Sequence, residues 1–106
     1  MALEVAKTIL QQLGGQQFIA MTGAKHFLAG PQALSFQLPA NFARNRINHV
    51  RITLDSDDTY SVFFGRARGA HYTVVSQHQT VYADGLQRVF RDQTGLDTSL
   101  GVRQPA

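Results

Sequence analysis

A chain of 106 residues accommodates one domain and not two, and its 43% hydrophobic content can fill a core that hides roughly 65% of the unfolded surface. The absence of cysteine excludes disulfides, thiolate metal sites and cysteine nucleophiles within it, and fits a reducing compartment. Ten basic residues against seven acids leave a net charge of +3, a balance that favours an anionic partner, whether nucleic acid or an acidic protein surface.

No apolar run approaches the ~20 residues that span a bilayer. The start, Met1 to Lys7, is mixed and charged, without the basic, apolar and small-residue order of a signal peptide. A cytoplasmic protein with no membrane partner is expected.

In chain order, Leu3, Ala6, Ile9, Leu10 and Leu13 recur at spacings of three and four, predicting a helix over residues 2–13 that ends at Gly14-Gly15. The apolar run Phe18 to Thr22 reads as a short buried strand, and Ala24 to Leu28 as one helical turn or a loop. Gly30-Pro31 is a break. Three stretches then alternate with period two: Leu34, Phe36 and Leu38; Val50, Ile52 and Leu54; Tyr60, Val62 and Phe64. Pro39 to Asn45 is a polar loop, and Asp55 to Asp58 has the composition of a hairpin turn. Gly65 to Gly69 reads as another break containing two arginines. His71 to Ser76 makes a further strand with Tyr72 and Val74 turned inward. Residues 80–93 read as a second helix with a stripe of Val81, Tyr82, Leu86, Val89 and Phe90, capped by Gly95.

Helix, strands, helix is the order of an α+β fold. The expected architecture is an antiparallel sheet of four or five strands with an N-terminal and a C-terminal helix packed on one face. Residues 1–100 form the single domain and residues 101–106 a flexible tail.

Residues that carry chemistry are sparse. His26, His49, His71 and His78 lack the spacing of a metal site. The Asp55, Asp57 and Asp58 group fails as an EF-hand loop, because the sixth and twelfth positions hold Tyr60 and Arg66. Thr22-Gly23-Ala24-Lys25 lacks the spacing of a phosphate loop, leaving Lys25 as an isolated anion contact. No Gly-x-Ser-x-Gly elbow nominates a nucleophile. No catalytic residue, metal ligand or cofactor is expected, although a composite pocket around Thr22, Lys25 and the histidines stays open as an enzyme reading.

The arginines are the remaining signal. Arg44, Arg46 and Arg51 lie in a loop and the strand after it, and Arg66 and Arg68 in a later turn. If neighbouring strands join these regions, their guanidinium groups share one end of the sheet, where they can hold phosphates or acidic side chains. Phe63, with Arg51, Val75 and His49 or His71, would add an open sheet face that suits a weak single-strand platform or a homodimer contact. A merely solvated basic rim is the alternative. The helix–strands–helix order also matches double-stranded RNA-binding domains, but the basic motif of their second helix is missing.

The stretches Ile9 to Gly15 and Phe18 to Lys25 resemble the opening of a family of short uncharacterised proteins encoded by phages, prophages and integrative elements. The resemblance continues in Leu34 to Leu38, Asp58-Thr-Tyr60, Val81-Tyr-Ala83, Leu86, Phe90, Thr94-Gly-Leu96 and Thr98-Ser-Leu100. It implies a non-enzymatic accessory protein of a mobile element that binds a host or phage macromolecule, inhibition of a defence system being one such role. It carries over no functional residues. The expected partner is a protein, with a nucleic-acid-binding module using the same arginine-rich rim as the alternative.

Overall fold

The computed structural model describes residues 2–98; the expected tail at 101–106 lies outside them. Helix α1 (Ala2–Leu13) and helix α2 (Gly15–Thr22) precede strands β1 (Lys25–Ala29), β2 (Ala33–Gln37), β3 (His49–Leu54), β4 (Tyr60–Arg68) and β5 (His71–Val81), and helix α3 (Leu86–Thr94) follows. Short 3₁₀ turns sit at Arg44–Arg46 and Ala83–Gly85. The strands form one antiparallel sheet in the order β1-β2-β3-β4-β5. Each strand lies beside its neighbour in sequence, which short loops permit and long crossovers would not.

Register explains the core. Leu34 opposes Ile52, Phe36 opposes Val50, and these continue to Val62 and Phe64 on β4, so one face carries a band of buried apolar side chains. Against it pack Ala6, Ile9 and Leu13 of α1, Phe18 of α2, and Leu86 and Phe90 of α3. Phe18 is the hub: its ring meets Phe36 at 5.4 Å and Phe90 at 5.1 Å, both edge-on. Edge-on pairs align the positive ring edge with a negative face and add to what burial alone provides. Polar ties fix the layers, with Tyr60 Oη donating to Gln12 Oε1 of α1 at 2.7 Å and Ser76 Oγ to Gln93 Oε1 of α3 at 2.9 Å.

Five local expectations are overturned. Phe18 to Thr22 is helical, because only Phe18 and Thr22, four residues apart, are fully buried, and a five-residue apolar run has no period of its own. The two helices meet at Gly14, with φ 129, where an added Cβ would lie 3.0 Å from the Thr98 carbonyl oxygen and 3.2 Å from Phe18 Cβ. Ala24 to Leu28 is mostly β1 and neither turn nor loop.

The break at Gly65 to Gly69 shrinks to the turn Gly69-Ala70, with β4 running through to Arg68. The last helix starts later than expected: Val81 ends β5 opposite Tyr60, and Tyr82 is exposed. Tyr72 and Val74 are also exposed, contrary to their expected inward orientation. Phe64 opposes Ser76 while Gly65 opposes Val74, so Val75 is an extra, unpaired residue. One inserted residue reverses the side-chain alternation beyond it. A second insertion lies between the Tyr60–Val81 and Val62–His78 pairs, where Thr80 has φ 57. β1 has its own irregularity between Lys25 and Leu28, with His26 at φ 55.

Candidate basic end and open sheet face

An antiparallel order brings the start of β1, the end of β2, the start of β3, the end of β4 and the start of β5 to one end of the sheet. Lys25, Arg66 and Arg68 belong to those strand ends, and the loop at residues 38–48 delivers Arg46 to the same place. Asn48 locks the loop to β4 like a further pair of strand hydrogen bonds: its Nδ2 donates to the Ala67 carbonyl at 2.9 Å, and its Oδ1 accepts from the Ala67 N–H at 2.7 Å. A concavity of about 250 Å³ opens between Arg46, Arg66, Arg68, Asn41 and Asn48. A second, of about 320 Å³ and reaching Lys25, Gln37 and Gly69, shares Ala40, Asn48 and Ala67 with it. The two therefore meet around the sheet end.

Among the described residues, the side chains of Lys25, Arg46, Arg66 and Arg68 are exposed and form no hydrogen bond or ion pair within the protein. The strand ends and loops around them contain no acid, and none of the five strands includes an aspartate or glutamate. Asp55, Asp57 and Asp58 occupy the opposite end, where β3 turns into β4. There Asp55 Oδ2 accepts from Ser61 Oγ at 2.6 Å, and Asp57 Oδ1 accepts from the Thr59 hydroxyl and N–H at 2.6 and 3.2 Å. The Thr59 contacts hold the Asp57 carboxyl below its ordinary pKa. The acids stitch a turn, and the charge of the sheet is polarised along its strands.

The expected arginine cluster thus divides in three. Arg46, Arg66 and Arg68 assemble as above. Arg44 leaves them: its Nη1 donates to the Asp92 carbonyl at 2.9 Å, and its guanidinium lies over Gly95, so it satisfies the C-terminal end of α3. Arg51 and Phe63 are opposed on β3 and β4 and lie on the sheet face turned away from the helices.

That face also carries Tyr72, which the strand pattern places inside. The Tyr72 ring lies on Gly65: an added Cβ there would stand 2.5 Å from Oη, 2.6 Å from Cζ and 2.8 Å from Cε1. The His49 ring meets it edge-on at 5.3 Å and 82°. One side of the tyrosine is held by the sheet, while the side chain as a whole is 47% exposed. Burial raises the Tyr72 pKa, and the Arg51 charge opposes that shift. Burial and then Arg51 lower the pKa of His49, whose Nδ1 is buried without a hydrogen-bond partner. Gly65 within an alternating strand pattern was the available signal, since a strand glycine marks a close approach by another group.

Of the other candidates, Thr22 and His78 are held by packing, while His26 and His71 are exposed. Thr22 is fully buried, with Oγ1 donating to the Phe18 carbonyl at 2.8 Å and accepting from the Ala24 N–H at 3.2 Å. His78 stacks edge-on against Phe64 at 5.9 Å. Among the described residues no group of three or more potential ligands could hold a metal ion, and no helix is long and apolar enough to cross a membrane. Comparison with family models, curated proteins and solved structures finds no match.

Proposed function

We propose that this chain is a cytoplasmic, non-enzymatic binding module, an accessory factor of the phage and mobile-element kind, that docks on an anionic macromolecule through the basic end of its sheet. The observation supporting this reading is the set Lys25, Arg46, Arg66 and Arg68: exposed cations on a framed concavity, without intramolecular partners and without a neighbouring acid in strand or loop. Cations serving only as a solvated rim are usually interspersed with acids, which dissipate the local potential. Arg44 is not in the proposed contact, because its guanidinium closes α3.

The test is capture of partners from a cell that naturally encodes the protein, with and without nuclease, using the native chain and the triple variant R46E/R66E/R68E. The reading expects stoichiometric partners on the native chain and their loss from a triple variant with unchanged circular dichroism. Equal capture by the folded variant would refute it.

A further inference from the structure

We infer that the anionic partner is a single-stranded nucleic acid, with bases laid on Tyr72 and Phe63 of the open sheet face and phosphates held by the cations around the sheet end. The inference rests on the binding reading above and narrows it to one chemical class.

The first argument concerns Tyr72. A ring pressed onto the backbone of Gly65 and steadied edge-on by His49 is oriented before any ligand arrives, so little rotamer freedom remains to be lost. Its outward side is available for stacking, and every base has a π-face that can use it. Phe63, half-buried, lies two residues from Gly65 along β4, about 7 Å at the usual rise of a strand. Two ring positions at that separation suit neighbouring bases of one strand. Arg51, opposite Phe63, adds a planar cation to the same surface.

Electrostatics supplies the second argument. A polyanion crossing five strands here meets no carboxylate on any of them. From the open face its backbone can pass Lys25 and Gln37 in one concavity and reach Arg46, Arg66 and Arg68 in the next, since the two share Asn48 and Ala67. An acidic protein surface would use the cations equally well but leaves an aromatic pressed against a glycine without a role. A duplex buries its base faces in its own stack and would likewise use only the cations.

The test is fluorescence anisotropy on the full chain with labelled oligothymidylate and oligouridylate of about 12 nucleotides, within the span known for small single-strand modules. A DNA duplex of the same length and polyglutamate serve as competitors. The expected result is tighter binding of a single strand than of either competitor. The logarithm of affinity should fall linearly with the logarithm of salt, with slope about −3 for four neutralised phosphates. Y72A should weaken the single strand by about 5- to 150-fold, the range seen for loss of one stacked base. Y72F keeps the ring and should bind as the native chain does, and melting curves on both variants separate recognition from folding.

Unchanged affinity in folded Y72A, or single strands bound no better than duplex or polyglutamate, overturns the inference. If single strands fail while the R46E/R66E/R68E variant loses a captured protein partner, the inference falls and the broader reading stands. If charge reversal alters capture of nothing, both fall.

Discussion

Placing a methyl group on Gly65 tests whether Tyr72 is held by the sheet or merely rests beside it. In Gly65→Ala the new Cβ would fall within 2.8 Å of the Tyr72 hydroxyl oxygen and two ring carbons, so the ring must lift. Tyr72 is 47% exposed, so about half of the roughly 200 Å² a tyrosine can bury is covered. At ~25 cal/mol per Å², lifting the ring forfeits at most about 2.5 kcal/mol. Alanine returns about 0.5–1 kcal/mol by stiffening the unfolded chain relative to glycine. The net expectation is a loss of no more than about 1.5–2 kcal/mol, read from the urea midpoint at unchanged slope. The discriminating experiment is a double-mutant cycle with Tyr72→Ala. In that background the methyl group has nothing to displace, and Gly65→Ala should be neutral or stabilising by about 0.5–1 kcal/mol. An equal destabilisation in both backgrounds would show that Gly65 answers to the backbone and not to the tyrosine.

Arg44→Ala should lower stability by about 1 kcal/mol, that of an ordinary hydrogen bond and less than a buried charged one because the contact is exposed, while oligonucleotide affinity stays unchanged; calorimetry and anisotropy on one preparation check both halves. Thr80, β-branched yet at φ 57, should be improved by glycine, with Thr80→Gly raising the unfolding free energy by about 1 kcal/mol in urea titrations. His49 binds its proton more weakly in the folded state than its ordinary value of 6.5, so its neutral form favours folding. Its contribution is complete above that value and declines as the pH falls from there towards the folded-state pKa. His49→Gln should therefore flatten the acid-side loss of stability measured between about pH 7.5 and about pH 5.

Much of the sheet was legible because its middle strands are one-sided. Leu34, Phe36, Val50, Ile52, Val62 and Phe64 recur with period two, separated by polar residues except at Phe63, and the alternation survives in the register of β2, β3 and the first half of β4. Legibility failed where a local pattern was decided by distant contacts. Phe18 to Thr22 has strand-like composition, yet its helix is held by Phe18 wedged between Phe36 and Phe90, residues remote in sequence. The orientation of Tyr72 depended on one unpaired residue, Val75, whose insertion no propensity announces. For the site, proximity of Arg46 to Arg66 and Arg68 was foreseeable from adjacent strands. The withdrawal of Arg44 to α3 was not, because it answers to carbonyl groups almost fifty positions away. Arg51 and Phe63 do share the open face, but Val75, expected beside them, packs against the core, and Tyr72, expected in the core, is exposed.

The irregularities of the two outer strands have a consequence for how the molecule can assemble. β5 is paired without interruption for only four residues, His71 to Val74, before Val75 and then the Thr80 region break its spacing, and β1 is broken between Lys25 and Leu28. A strand from another chain seeking to extend the sheet would find matched donors and acceptors over little more than one turn of its pleat before losing step. Growth by edge-to-edge templating is thereby discouraged at both margins. Strand addition at either margin would have to begin by rearranging β1 or β5.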